Sequence, residues 1–354
     1  MQLKLHAYDL PLAHTFTISR ESITSQPTLV VELTQDGVSG YGEATSNKYY
    51  GFTIERMARD LATLRPQLET TSLADPAALW HQCQTALTDD PFALCALDQA
   101  AHDLWGKLRG QPVWKLWGLS IQKTPLSNYT IGIDKIDVMV AKMNEFPGWP
   151  IYKVKLGTDR DLEIVRELRK HTTATFRVDA NCGWTPDQAI ANAPELKSLG
   201  VEFIEQPLKA DRWEDLRRVR ENSVLPIIAD ESCIVESDVA RCHGVFHGIN
   251  IKLVKCGGLT PARRMIAEAR RLGLSVMVGC MTESTVGISA IAQLLPLLDY
   301  VDMDGAVLLA KDIAAGIRLD RGRCIYPDRP GNGVTLLEPG IDPLTSGKLA
   351  AQPT

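Results

Sequence analysis

Hydrophobic and polar positions follow two rhythms along the chain, and the change falls near residue 124. Before it, strand-like runs give way to helical ones. The N-terminal stretch MQLKLHAYDLPLAHTF alternates polar and apolar residues and is broken by Pro11. Residues 28–34 (TLVVELT) are β-branched and apolar, and Gln35-Asp36-Gly37 leads into Gly40-Tyr41-Gly42-Glu43, which together predict a hairpin. Apolar residues at helical spacing then predict helices over 53–64, 76–87 and 91–108. The last carries Ala93, Leu94, Ala96, Leu97, Ala100, Ala101, Leu104 and Trp105 on its apolar stripe, and Gly110-Gln111-Pro112 stops it. Strands followed by helices predict a self-contained α+β domain.

Beyond residue 124, short apolar strands alternate with amphipathic helices, the pattern of a parallel sheet covered by helices. Strands are predicted at 128–133, 151–155, 175–179, 202–205, 226–230, 248–252, 274–279 and 300–302, with helical stretches such as 161–170, 185–199 and 260–272 between them. Eight strands with intervening helices predict an α/β fold built on a closed (β/α)8-type barrel of ~200 residues. The Pro- and Gly-rich tail is expected to pack back on the first domain.

Composition narrows the class. The 354 residues exceed an ordinary ~100–200-residue domain but suit a barrel with an accessory domain. A hydrophobic content of 45% with no dominant short period excludes disorder and coiled coil. The net charge of −5 argues against nucleic-acid partners, whose binding rests on clustered cations. Eight scattered cysteines without a C-x-x-C pair read as reduced thiols. No signal-peptide pattern and no membrane-length apolar run is present, so a cytoplasmic protein without membrane partners is expected. The oligomeric state stays open, a homo-oligomer included.

Catalytic groups in a βα barrel gather at the C-terminal ends of strands. Here those ends read Lys153-Val154-Lys155, then Asp179 (RVDAN), Glu205 (FIEQP), Asp230 (IADES) and Lys252 (NIKLVK), each about one βα unit from the next. One such acid alone would more often cap a helix or form a local ion pair. Three on adjacent strands repel, and a divalent cation relieves that repulsion; an all-oxygen set suits Mg²⁺. Lys153 and Lys155 share a strand face. The second and sixth strands lie opposite each other in an eight-stranded ring, so lysines on them flank whatever the acids hold. Close ammonium groups beside a cation are expected to lower each other's pKa, as a base near neutral pH requires. Lys255 is the rival base beside Lys252, ranked lower because it lies past the strand. His243 and His247 have i,i+4 spacing but no evident third metal ligand, so they read as surface histidines.

These residues, with the Ala96–Lys107 run, Gly110-Gln111-Pro112, YKVKLG and NIKLVKCGGLT, resemble the enolase superfamily in its muconate-lactonizing-enzyme subgroup. The resemblance spans nearly the whole chain. It implies a modified TIM barrel over residues 121–317, an α+β capping domain over 1–120 that carries specificity loops, and a segment, 318–354, that returns to the cap. It further implies Mg²⁺ on Asp179, Glu205 and Asp230, Lys155 and Lys252 as acid/base catalysts, and Lys153 stabilising an enolate. Asp302-Met303-Asp304-Gly305 on the eighth strand resembles the motif by which dipeptide epimerases hold a substrate ammonium. The implied activity is epimerisation of a dipeptide at its C-terminal residue, of the L-Ala-D/L-Glu type found in murein peptide turnover. Thr130, Cys280 and Thr282 fall where related epimerases contact the dipeptide. Arg20 would receive an acidic side chain, and Tyr49-Tyr50-Gly51 would form a closing loop. Glu283 has no assigned role. N-acylamino acid racemase, o-succinylbenzoate synthase or cycloisomerase activity is the alternative within the subgroup, and a non-catalytic metal-binding barrel the alternative outside catalysis.

Overall fold

The computed structural model describes residues 1–19 and 21–345. Three antiparallel strands open the chain, β1 (Gln2–Thr17), β2 (Ser22–Gln35) and β3 (Val38–Thr45), with β2 central. Asp36 (φ 52°) and Gly37 (φ 76°) form the turn between β2 and β3; left-handed backbone at both positions matches the twist of a tight hairpin. Pro11 hides β1 in the sequence. In the structure β1 is an edge strand, where a missing N–H disturbs the ladder least, and its register with β2 shifts between Pro11 and Phe16.

Helices Ile54–Ala62, Pro76–Cys83 and Pro91–Leu108 begin at Thr53, Asp75 and Asp90, each of which accepts a hydrogen bond from the first turn's backbone. Pro91–Leu108 lies directly on β3. A Cβ at Gly40 would meet Leu104 N at 2.3 Å, and one at Gly42 would meet Ala96 O at 2.1 Å. The two glycines of Gly40-Tyr41-Gly42 therefore serve helix–sheet approach rather than the turn.

The barrel strands are β4 (Tyr129–Ile131), β5 (Ile151–Lys155), β6 (Thr175–Asp179), β7 (Val201–Glu205), β8 (Ile227–Ala229), β9 (Gly248–Lys252), β10 (Ser275–Gly279) and β11 (Tyr300–Asp302). They form one parallel sheet in chain order. The seam between β4 and β11 has no ladder. It is drawn together by a single bridge, Ser127 to Val301, and by Met303 N donating to Ser127 Oγ at 3.0 Å.

Strand alternation layers the barrel interior. At the N-terminal end Phe203, Ile228 and Met277 form an apolar cluster of their own, with Tyr300 packed against it. The Arg177 guanidinium lies over it, 5.3 Å from the Phe203 ring centroid and 5.1 Å from that of Tyr300. Above this floor the inward side chains are charged or amide-bearing.

Residues after the barrel run back over the N-terminal sheet and its helix. Asn332 N donates to Asp103 Oδ1 (2.7 Å), Lys107 Nζ to Val334 O (3.0 Å), and Ile341 bridges Ala7. Glu43 on β3 joins the two layers: its carboxylate accepts from Ser284 N, Ser284 Oγ and Gly287 N at the start of helix Thr285–Ala292. All eight cysteines are free. No helix among the described residues is long and apolar enough to cross a membrane.

Because Gly42 has no room for a methyl group, Gly42→Ala is expected to lower unfolding free energy by about 1–3 kcal/mol, the usual cost of overpacking a core. Urea denaturation checks this; an unchanged midpoint would show that the helix can slide off β3.

Candidate active site

The C-terminal ends of β5 to β9 bring the predicted charged residues together. Asp179, Glu205 and Asp230 are buried, and each offers a carboxylate oxygen within 4.8 Å of the others'. The chain leaves β6 and β7 through left-handed residues, Asn181 (φ 42°), Cys182 (φ 68°) and Gln206 (φ 34°). Asn181 N donates to Asp179 Oδ1 at 2.9 Å. The Gln206 side chain accepts from Asp230 N at 2.9 Å and Ser232 N at 3.1 Å, stitching the end of β7 to that of β8.

Lysines enclose the acids. Lys155 Nζ lies 2.7 Å from Asp179 Oδ2, and Lys252 Nζ lies 3.0 Å from Asp230 Oδ2. Lys153 Nζ reaches Glu205 Oε2 at 2.7 Å, Asp302 Oδ2 at 2.7 Å and Asp179 Oδ2 at 3.3 Å. Lys255 is not aimed into the cavity. Its ammonium donates to Asp230 O (2.6 Å), Asp230 Oδ1 (2.7 Å) and Cys233 O (3.1 Å), three acceptors for three protons, so it holds Asp230 in place.

The electrostatics follow from burial and pairing. Burial raises the Asp179 carboxyl, but Lys155 and Lys153 outweigh it and hold it below its usual range. Asp230 is held low against burial by Lys252 and Lys255. Glu205, buried and facing Asp179, is pushed up to about 7. The lysines respond to the carboxylates around them. Burial lowers Lys153, yet Asp302, Glu205 and Asp179 offset it and hold its pKa well above the ordinary value. Lys252 is likewise raised, by Asp230 against burial. In this arrangement attraction to carboxylates exceeds repulsion between ammonium groups.

The β4–β11 seam forms a second cluster. Asp302 closes β11, and Asp304 follows it at the entry to a short 3₁₀ turn, Gly305–Leu308. Asp302 accepts from Asn128 Nδ2 at 2.8 Å, and Asp304 accepts from Thr130 N at 2.6 Å and Thr130 Oγ1 at 3.2 Å. Burial and the Asp302 charge push the Asp304 carboxyl well up, while Asp302 is held low by Lys153 despite burial. Cys280 Sγ lies within 4.8 Å of both carboxylates.

One cavity links these groups. Thr130, Lys155, Asp230, Lys252, Cys280, Thr282, Asp302 and Asp304 line it from the barrel, and Phe16, Ile18, Glu21, Ile23, Thr45, Tyr49 and Tyr50 line it from the N-terminal sheet and the loops that adjoin it. Arg20 lies outside the described residues. His247 Nδ1 accepts from Ile227 N at 3.0 Å, and His243 is exposed, as expected of a surface histidine.

Sequence reasoning missed the amides that hold the acids. Asn250 Nδ2 donates to Glu205 Oε1 at 2.8 Å, and Gly279 makes room for it: a Cβ there would lie 2.7 Å from Asn250 Oδ1. The signal was available, because Asn250 sits two residues before Lys252 on the same strand face. Asn128, two before Thr130, was legible in the same way. Glu283 has no role legible in the sequence. It is buried, accepts from Met281 N at 2.7 Å, and is raised to about 8 by burial and by Glu43.

A parallel barrel with acids and lysines sorted by strand, roofed by an α+β sheet, defines the class of enolase-type barrel enzymes. Residues 3–118 match the mandelate racemase / muconate lactonizing enzyme N-terminal domain, and residues 138–339 match the enolase C-terminal domain-like family. The chain belongs to the mandelate racemase / muconate lactonizing enzyme family of the enolase superfamily. It is similar to the L-Ala-D/L-amino acid epimerase of Flavobacterium johnsoniae, 59% identical over 95% of this chain and 100% of that protein. Among solved structures it resembles the L-Ala-D/L-Glu epimerase of Bacillus subtilis in a substrate-liganded complex, with TM-score 0.90, 28% identity, and coverage of 94% of this chain and 98% of that one. It also resembles the dipeptide epimerase of Cytophaga hutchinsonii complexed with Mg and D-Ala-L-Val, with TM-score 0.90, 27% identity and 96% of each chain covered.

The raised Glu283 carboxyl carries a stability consequence. An unfolded Glu titrates near 4.5 and the folded one near 8, so between those values the folded state holds the extra proton and stability falls as pH rises. Glu283→Gln keeps the acceptor for Met281 N and removes the titration. Melting curves from pH 5 to pH 9 are expected to fall less steeply for the variant; parallel curves would show that Glu283 titrates normally.

Proposed function

We propose that this protein is a Mg²⁺-dependent dipeptide epimerase that inverts the α-carbon of the C-terminal residue, with Lys155 and Lys252 exchanging the proton on opposite faces. The observation that carries this reading is the placement of those two lysines. They stand on β5 and β9, four strands apart in an eight-stranded ring, and both face one cavity. The epimerases named above support it, one of them complexed with Mg and a dipeptide.

The donor set fits a hard divalent cation. Three buried carboxylates converge, and Glu205 Oε2, 2.7 Å from Lys153 Nζ, lies outside hydrogen-bonding alignment with any donor. All-oxygen sites with room for further ligands suit Mg²⁺. Asp179, Glu205 and Asp230 would hold it. When bound, Mg²⁺ supplies positive charge to the substrate carboxylate as negative charge grows there, and it shares the acids that now engage the lysines.

The chain's own residues divide the remaining work. One lysine, as the free amine, removes the α-proton and becomes an ammonium. The opposite lysine, as the ammonium, delivers its proton to the other face and becomes an amine. The reverse reaction exchanges the roles, so neither hand of substrate is privileged by the proton count. Lys153, fixed between β5 and the acids, places a permanent positive charge beside the carboxylate end. Asp302 and Asp304 receive the substrate's N-terminal ammonium: a carboxylate beside a carboxyl holding a proton becomes a fully ionised pair once a cation enters.

In D₂O the protein is expected to exchange the α-hydrogen of a dipeptide's C-terminal residue, and Lys155→Ala and Lys252→Ala are each expected to cut epimerisation by at least ~10³-fold, as loss of acid/base catalysis does. Full activity in either variant would rule out the two-base scheme. Chelation is expected to abolish turnover and added Mg²⁺ to restore it. Asp304→Asn should raise KM for dipeptides with free amines by about 10–100-fold, the weight of a charge-assisted hydrogen bond, and spare N-acylated analogues; equal loss on both would place the ammonium elsewhere.

A further inference from the structure

Each of the three clustered acids keeps its two carboxylate oxygens in different company. Asp179 Oδ1 accepts from Asn181 N at 2.9 Å, Glu205 Oε1 from Asn250 Nδ2 at 2.8 Å, and Asp230 Oδ1 from Lys255 Nζ at 2.7 Å. The other oxygen of each meets a lysine of the site. Asp179 Oδ2 meets Lys155 at 2.7 Å and Lys153 at 3.3 Å, Glu205 Oε2 meets Lys153 at 2.7 Å, and Asp230 Oδ2 meets Lys252 at 3.0 Å. Three unrelated devices build the outer ties. Left-handed backbone at Asn181 (φ 42°) turns its N–H back on the carboxylate two residues earlier. Asn250 stands against Gly279, and its own Oδ1 is buried with no hydrogen-bond partner among the described residues, so the amide is kept for Glu205. Lys255 returns from the short helix Leu253–Cys256 to reach Asp230.

We infer that Asn250 and Lys255 are positioning residues that set which divalent cation the acids accept, favouring Mg²⁺ over Ca²⁺. This inference rests on the metal-dependent part of the reading above. With one oxygen of every acid tied, each carboxylate has a single oxygen left for a cation. Three such oxygens supply half of an octahedron and leave the other half to water and substrate, the arrangement that small Mg²⁺ demands. Ca²⁺ takes about six to eight oxygens at about 2.3–2.6 Å and often claims both oxygens of one carboxylate. Here the second oxygen would first have to give up its donor. For Asp230 that donor is a buried ammonium, whose three acceptors would fall to two. The outer ties therefore hold the number of available ligands low, and ligand number separates the two ions.

The test is calorimetric titration of the metal-stripped protein with MgCl₂ and with CaCl₂, so that affinity is read rather than turnover. Wild-type protein is expected to bind Mg²⁺ more tightly than Ca²⁺. Asn250→Leu keeps the side chain's bulk and frees Glu205 Oε1; Lys255→Met does the same for Asp230 Oδ1. Each is expected to move the ratio of the two Kd values toward Ca²⁺ by about tenfold, the usual effect of losing a partner behind a metal ligand. A merely structural role would weaken both ions alike. Equal losses in a variant whose circular dichroism matches wild type would therefore overturn the inference. So would wild-type protein that binds Ca²⁺ as tightly as Mg²⁺, whether or not the variants fold. Exchange of a dipeptide's α-hydrogen in D₂O on Mg²⁺-loaded wild type judges the epimerase reading separately. Exchange beside an unshifted ratio overturns the inference alone; a shifted ratio without exchange overturns the epimerase reading alone.

Discussion

The structure depends on burying charges of both signs in one layer of a barrel. An isolated ammonium or carboxylate in such a layer would cost several kcal/mol, so each must find partners. Lys153 illustrates the solution: it is 1% exposed and touches Glu205, Asp302 and Asp179. Glu205 in turn takes a proton-bearing amide from Asn250, and Asp302 takes one from Asn128. Each of these charged groups is held by at least one neighbour on another element of the barrel, which fixes its position. The apolar floor of Phe203, Ile228 and Met277 lies beneath this charged layer.

The sheet above the barrel is joined to it by the same kind of contact. Glu43 leaves β3 to cap a barrel helix, Thr45, two residues on, faces the cavity, and Pro91–Leu108 rides on the glycines of β3. The wall that meets a substrate is thus an extension of the strand that anchors the two layers to each other.

Much of this was legible in the chain. Strands β5, β6, β9 and β11 begin and end where the hydrophobic pattern predicts, because parallel strands buried on both faces read as short apolar runs. The acids and lysines at strand ends were legible for the same reason: once a strand's end is known, its last inward residue is known. Other elements were not. β1 is masked by Pro11, which an edge strand tolerates. The role of Lys255 was hidden because three-dimensional proximity to Asp230 and Cys233 leaves no mark on spacing.

The seam between β4 and β11 ties substrate range to folding. Elsewhere around the ring neighbouring strands share a backbone ladder, but here the join is one bridge supported by Asn128 on Asp302, Thr130 on Asp304 and Ser127 on Met303. The pair of acids proposed to greet the substrate's amine is also the zipper of the barrel. An evolving lineage that trades this amine subsite for another therefore also alters the contacts across the join of the ring, and leaves the Ser127 contacts to hold it.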